Sequence, residues 1–293
     1  MPFLESFGFT AYPFALTPDA AMYYPLPECE AILASLHFAL GRGDGLMKVV
    51  GEVGTGKTLL CRMLLRRMAD EKINIAYLNV PDTSETMPVA RLVGSELGVK
   101  AEALKANPAT ALRDYLLAQH AKGRRTVLVI DEAQALGANG LEAVRLLSNL
   151  ETDTHKLLQI VLFGQPELDR ILARPELRQV QQRVQFSFQT RPMTPDRVAD
   201  YLRFRLAQVT QGGGGRKLKA KQPVLSPVQF TNKASLTIAK ASLGLPRLIH
   251  VLADKSLIAA YAKGDRLVDS PHVRLAARET DGLSFPFSWL KWL

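Results

Sequence analysis

The fold of this chain is decided by an eight-residue stretch near its start and by the residues on either side of it. The stretch reads Gly51-Glu52-Val53-Gly54-Thr55-Gly56-Lys57-Thr58. A mostly apolar run, Leu46–Val50, precedes it and the run Leu59–Leu65 follows it, so the pattern predicts a strand, a glycine-rich turn and a helix. Glycines have no Cβ, which lets backbone N–H groups and the helix N-terminus converge on phosphate oxygens. The sequence therefore predicts a loop that binds ATP or a related nucleoside triphosphate, with Lys57 reaching the phosphates and Thr58 holding Mg²⁺.

Polar residues at the ends of two later strands complete the predicted site. The apolar run Val127–Ile130 leads directly into Asp131 and Glu132, and the run Leu158–Phe163 leads to Gln165. Ligands of parallel α/β sheets collect at the carboxyl ends of the strands. We expect Asp131 to hold Mg²⁺, in part through water, and Glu132 to orient and activate the water that attacks the phosphate. Gln165 is expected beside the γ-phosphate.

Composition limits the class of protein. The 293 residues suffice for one large or two ordinary domains, and the two cysteines form neither a disulfide framework nor a metal cluster. No apolar run approaches the ~20 residues that span a bilayer, so we expect no transmembrane segment. The net charge of +9 favours anionic partners such as nucleic acid or an acidic lipid surface, although a solvated basic surface explains it equally well.

The alternation of buried strands with helices predicts an α/β fold, a P-loop NTPase with a central parallel sheet flanked by helices and a small C-terminal helical lid domain. We assign residues 1–190 to the nucleotide-binding domain, including an aromatic and helical segment at 1–45, and residues 191–280 to the lid. The lid contains a glycine-rich basic loop at 211–222. A tail at 281–293 holds both tryptophans and is a docking peptide or packs on the protein itself.

Several groups of residues, taken together, resemble one family. They are Phe9–Phe14, Gly51–Thr58, Val129–Gln134, Leu146–Thr152, Gly164–Leu168, Arg174–Val184 and Gly244–Ile249. In these groups the chain resembles the AAA+ ATPases of the ExeA (GspA) type. The secretion ATPases of that type carry a transmembrane helix and a periplasmic peptidoglycan-binding domain after the ATPase, and this sequence ends where that extension would begin. It is therefore more similar to the short, MshM-type members that serve the mannose-sensitive haemagglutinin (MSHA, type IV) pilus.

The resemblance implies roles for residues and for the whole protein. It implies that Gln165 senses the γ-phosphate and that Arg247 is a second sensor from the lid. It also implies that Arg183, or alternatively Arg178, is an arginine finger for a neighbouring subunit. The expected partners are other copies of the chain, in a ring or a transient oligomer, and assembly proteins of a pilus or secretion machine. The expected location is the cytoplasm, with peripheral contact at the inner membrane also allowed.

Two other functions remain open from the sequence. One is an ATP-switched DNA-binding regulator like the transposition ATPases, which the basic loop and net charge would support. A DNA-binding assay over a salt series, with and without ATP, would separate it from the assembly ATPase. The other is a scaffold that binds nucleotide without hydrolysing it, which the presence of Glu132 argues against.

Overall fold

The chain divides into two compact units, which we call the α/β unit and the helical unit. The computed structural model describes residues 2–69, 72–80, 88–210 and 226–280. The predicted basic loop at 211–222 and the tail at 281–293 lie outside these residues. The α/β unit is Pro25–Thr190, and the helical unit combines residues 2–24 with 191–210 and 226–280.

A five-stranded parallel sheet forms the centre of the α/β unit. Its strand order is β2-β3-β4-β1-β5, so the strand before the glycine-rich loop has a neighbour on each side. The strands are β1 (Leu46–Val50), β2 (Ile73–Asn79), β3 (Arg125–Asp131), β4 (Gln159–Gly164) and β5 (Val184–Gln189). The predicted α/β fold with a central parallel sheet is confirmed.

Helices flank this sheet because its central strands are buried on both faces. Every residue of β4 is buried, as is every residue of β3 after Arg125. Successive side chains point to opposite faces of a strand, so both faces must be covered by helices. The helices are α2 (Pro27–Arg42), α3 (Lys57–Met68), α4 (Val89–Glu96), α5 (Ala101–Ala106), α6 (Pro108–Ala121), α7 (Gly137–Leu147), α8 (Pro166–Leu172) and α9 (Arg178–Gln181).

The edge strand β5 was not predicted from the sequence. Val184, Phe186 and Phe188 are half-buried and alternate with exposed residues, as expected for a strand with one solvated face. Its register places Val184 opposite Leu46, at the start of β1. The period-two alternation of apolar residues was the signal available in the sequence.

The helical unit is built from α10 (Pro195–Val209), α11 (Asn232–Ala241), α12 (Pro246–Lys263) and α13 (Ser270–Arg278), together with the short N-terminal helix α1 (Pro2–Ser6). Two short parallel strands, β6 (Gln229–Phe230) and β7 (Leu267–Val268), pair beside these helices. The Thr231 hydroxyl accepts a hydrogen bond from the Ala234 N–H and so caps α11. None of the helices in the described ranges is both long and apolar enough to cross a membrane.

The aromatic N-terminal segment belongs to the helical unit, whereas the sequence had placed it in the nucleotide-binding domain. Phe7, Phe9 and Phe14 are between 2% and 4% exposed and lie in the same apolar cluster as the helices of that unit. The backbone N–H of Thr10 also donates to the carbonyl oxygen of Val209 at 2.7 Å. The assignment of residues 1–24 is therefore corrected, because burial of these rings holds the segment against α10. These three rings are core residues of the helical unit.

Candidate nucleotide-binding site

The glycine-rich loop connects β1 to α3 and has the backbone shape that its glycines permit. Gly54 has a φ of 83° and Gly56 a φ of 91°, both in the left-handed region that residues with a Cβ rarely adopt. Gly56 is also the N-cap of α3, so the loop opens directly onto the positive end of a twelve-residue helix. Thr55 closes the turn, since its hydroxyl donates to the Glu52 carbonyl oxygen at 2.8 Å. Val53 is exposed at the outside of the loop.

Thr190, which the sequence did not single out, packs directly against this loop. Its hydroxyl lies 2.9 Å from that of Thr55, and its N–H donates to the Val50 carbonyl oxygen at 2.9 Å. A Cβ added to Gly51 would lie only 1.8 Å from the Thr190 Oγ1. Glycine at position 51 is thus required for the close approach of this threonine. The contact joins the loop to the last residue of the α/β unit.

Lys57 extends its ammonium group across the loop. The group donates to the carbonyl oxygens of Gly51 at 2.8 Å and Glu52 at 3.0 Å. Burial lowers the pKa of Lys57, and the nearby carboxylates of Glu132 and Asp131 oppose that shift. A cation partly removed from water interacts more strongly with a phosphate than one in bulk solvent. This position at the loop agrees with the predicted contact between Lys57 and a phosphate group, which remains a prediction.

Asp131 and Thr58 form a pair of oxygen donors beside the loop. Asp131 ends β3 and is only 1% exposed. Burial raises the pKa of its carboxyl, whereas a hydrogen bond from the Thr58 side chain and one from the Glu132 N–H lower it. A carboxylate and a hydroxyl are donors that Mg²⁺ prefers, and a bound cation would offset the cost of burying the charge. The two residues fit a magnesium site.

Glu132 lies at the same edge of the sheet and is held by two amide groups. Its backbone φ is 53°, uncommon for a residue with a side chain. Its Oε2 accepts hydrogen bonds from Gln165 Nε2 at 3.0 Å and from Gln134 Nε2 at 2.6 Å. The structure thus brings Glu132 and Gln165 together, as expected for the ends of neighbouring parallel strands. Gln134 is the last residue of the Val129–Gln134 motif, and the sequence predicts no role for it.

Two of the three arginines implied by the resemblance belong to the α/β unit and the third to the helical unit. Arg183 immediately precedes β5 and is half-buried, and Arg178 is exposed at the start of α9. Because Val184 pairs with Leu46, Arg183 is at the amino edge of the sheet, about 13 Å (four residues of strand) from the edge that bears the loop. Arg247 belongs to the helical unit, where it is the second residue of α12 and exposed. The roles of all three remain predictions.

Comparison with known proteins agrees with this fold and this loop. Residues 40–172, which contain the loop and both strand ends, match the family described as AAA domain. Solved structures with the same fold include Cdc6p from Pyrobaculum aerophilum, with a TM-score of 0.64, 19% identity and coverage of 94% of this chain and 73% of that one. The ORC2 protein of Aeropyrum pernix, in its ADPNP-ADP complexes, gives a TM-score of 0.62 at 17% identity, covering 94% and 75%. At such low identity these structures show the fold alone. The fold and the matched domain are those of the P-loop AAA+ class, as the sequence predicted.

One relative matches the chain over nearly its whole length. The chain is 38% identical over 288 residues to general secretion pathway protein A of Aeromonas hydrophila. The match covers 98% of this chain and 50% of that protein, so the chain spans half the length of its relative. The chain is thus similar to the ATPases of the ExeA (GspA) type over nearly all of its own residues.

Proposed function

We propose that this AAA+ ATPase binds ATP with Mg²⁺ at the loop Gly51–Thr58 and uses the energy of hydrolysis to support assembly of an envelope machine. The machine we propose is a type IV pilus of the MSHA kind, as in the MshM-type proteins, or a related secretion system at the inner membrane. The single observation that supports hydrolysis best is the position of Glu132, whose carboxylate is fixed by two amides at the strand edge next to Asp131 and Lys57. The support for an envelope role is the similarity to a general secretion pathway protein.

The proposed chemistry divides among the residues of the α/β unit. The backbone N–H groups of the loop and the Lys57 ammonium bind the phosphate oxygens, while Thr58 and Asp131 hold the metal ion. Bound Mg²⁺ would supply positive charge to the phosphate oxygens during transfer. Glu132 orients the attacking water and accepts its proton, and the Gln165 amide lies beside it to sense the γ-phosphate. The ends of β3 and β4 hold the Glu132 and Gln165 side chains within hydrogen-bonding distance of each other.

A Glu132→Gln substitution tests the proposed chemistry. It keeps the size of the side chain and removes the base, so turnover should fall at least 100-fold, within the range attributed to general base catalysis, while ATP binding is retained. Turnover is measured as phosphate release and binding with a fluorescent ATP analogue. The matched control is Glu102→Gln, the same chemical change at an exposed position of α5, which should stay within about twofold of the unsubstituted protein. Undiminished hydrolysis by Glu132→Gln would refute the assignment.

Arg183 provides a separate test of self-association. Since it lies at the sheet edge opposite its own loop, we propose that it completes the site of a neighbouring copy. Arg183→Ala should then reduce turnover by about 10³-fold, the lower range for an arginine finger. Mixing the Arg183→Ala protein with the Glu132→Gln protein should restore activity. In a mixed oligomer one copy supplies the arginine and the neighbouring copy supplies the glutamate. If Arg178→Ala gives the defect and Arg183→Ala does not, Arg178 is the finger.

The proposed role in assembly is tested in the bacterium that carries the gene. Deletion should abolish surface pili or secretion, and the unsubstituted gene should restore them. The Glu132→Gln gene should fail to restore them although its product accumulates to the same level. Normal pili and secretion in the deletion strain would contradict the assembly role and leave the enzymatic assignment intact.

A further inference from the structure

We propose that Gln134 is a positioning residue that fixes the carboxylate of Glu132 through one of its two oxygens and leaves the other to act as the base. The inference rests on the proposed role of Glu132. Gln134 is half-buried in the short 3₁₀ turn Ala133–Leu136 that follows β3, three residues after Asp131 at the end of that strand. In the sequence, neither its residue type nor its spacing distinguishes Gln134 from an ordinary turn residue.

Gln134 joins the ends of β3 and β4 through both halves of its side-chain amide. Its Nε2 donates to Glu132 Oε2 at 2.6 Å, and its Oε1 accepts from the backbone N–H of Gln165 at 3.0 Å. A backbone N–H can only donate, so the carbonyl half of the amide must face Gln165 and the NH₂ half must face Glu132. Gln165 completes a triangle of hydrogen bonds among the three residues, because its Nε2 donates to the same Glu132 oxygen. The orientation of all three groups is thus determined.

The surrounding backbone leaves room for this arrangement. A Cβ on Gly164 would lie 3.2 Å from Gln134 Oε1 and 2.7 Å from a methyl group of Leu168, closer than an ordinary contact. Glycine at this position therefore lets the amide oxygen approach the end of β4. The uncommon φ of Glu132 also needs support from neighbouring groups, because such conformations persist only where the surroundings enforce them. Gln134 supplies one of those supports.

The hydrogen bonds from the two side-chain amides reach only one of the two carboxylate oxygens of Glu132. Both donors meet Oε2 of Glu132, and within the described ranges no hydrogen bond reaches its Oε1. A carboxylate anchored by one oxygen cannot rotate freely, and its second oxygen keeps its lone pairs for a water molecule. Orientation of this kind raises the rate of the chemical step without changing how tightly the substrate binds. Gln134 should therefore affect kcat and not KM.

The test is the Gln134→Met variant of the full chain, which keeps the length of the side chain and removes both hydrogen bonds. We expect kcat for ATP hydrolysis to fall about tenfold to hundredfold, the factor for one hydrogen bond to a charged group, with KM unchanged within about twofold. Gln134→Glu, which replaces the donor by a second carboxylate, should reduce kcat at least as much. This variant takes the place of Gln134→Met in the test if the methionine variant does not fold. Gln119→Met, which removes a glutamine bonded to Asn74 in the same unit, is the matched control and should leave kcat unchanged.

Two further comparisons show whether Gln134 acts through Glu132. In a Glu132→Ala background, adding Gln134→Met should cause no further loss of turnover. Thermal melting is then measured for the unsubstituted chain, the two single variants and the double variant. The shift in melting midpoint of the double variant should differ from the sum of the two single shifts, because the residues are in contact. This comparison reports the Glu132–Gln134 contact even if the unsubstituted chain does not hydrolyse ATP. Absence of hydrolysis would refute the proposed function, whereas the inference is overturned by additive melting midpoints. It is equally overturned if Gln134→Met leaves kcat unchanged, raises it, or lowers it only together with ATP binding.

Discussion

Stability of the helical unit should depend on pH through His250. This residue lies on α12, where its Nε2 is 2.5 Å from the Tyr201 hydroxyl and its Nδ1 is 3.0 Å from the Ala15 carbonyl oxygen. A carbonyl oxygen can only accept, so Nδ1 carries a proton, and in the neutral ring Nε2 accepts from the tyrosine hydroxyl. Burial, and secondarily the cation of Arg205, lowers the pKa of His250 from 6.5 to about 4.

The sign of the effect follows from this lowered pKa. The unfolded chain takes up a proton near pH 6.5, whereas the folded helical unit resists it until about pH 4. The unfolded state therefore binds more protons between these values, and stability is lost as the pH falls from 6.5 towards 4. For these two pKa values the loss between pH 7.5 and pH 5.0 is about 2 kcal/mol. The stability contributed by the neutral histidine is fully present above pH 6.5.

The assay compares the free energy of unfolding of the unsubstituted chain with that of His250→Gln by urea denaturation, at both pH values. Glutamine can replace the donor and acceptor of the ring but does not titrate. Subtracting the free energy of unfolding of one protein from that of the other therefore removes the contribution of every other titrating group. Relative to the unsubstituted chain, the free energy of unfolding of the His250→Gln protein should be about 2 kcal/mol higher at pH 5.0 than at pH 7.5. His155→Gln, a change at an exposed histidine of the α/β unit, is the control. If the His250 difference is the same at both pH values, the ring is not held neutral by its surroundings and the reasoning fails.

Three further predictions follow from contacts in the two units. Arg205→Met should lower the free energy of unfolding by about 3 kcal/mol in urea melts, because Arg205 is 4% exposed and donates to the Pro13 carbonyl oxygen at 2.6 Å; a loss below 1 kcal/mol would contradict this. Gly51→Ala should lower stability by about 1–3 kcal/mol and weaken ATP binding, and Thr190→Ala should recover part of the stability loss by removing the hydroxyl that the new methyl group meets; no recovery would argue against that contact. Thr58→Val should raise the Mg²⁺ concentration needed for half-maximal turnover at least tenfold, and an unchanged magnesium titration would exclude Thr58 as a ligand.

Local residue patterns determined the part of the site that is formed by consecutive residues. Gly51–Thr58 has glycines where the backbone adopts positive φ and a lysine where the helix begins, and these requirements act within a few residues of the chain. The ends of β3 and β4 were also predictable. A run of buried residues ends at a polar side chain, and parallel strands bring such ends to the same edge. Asp131 and Glu132 were found in this way.

Tertiary structure alone decided the relations between residues that are far apart in sequence. The N-terminal segment joins the helical unit because Phe7, Phe9 and Phe14 bury their rings against helices nearly two hundred residues later, and composition does not say which core an aromatic residue enters. Thr190 meets the phosphate loop, and Gln134 connects Glu132 to Gln165, only after the strands are in register. A sequence records which groups are available for hydrogen bonds and packing. The distances that turn those groups into contacts are set when the elements pack, and this is why the loop was predictable and its supporting residues were not.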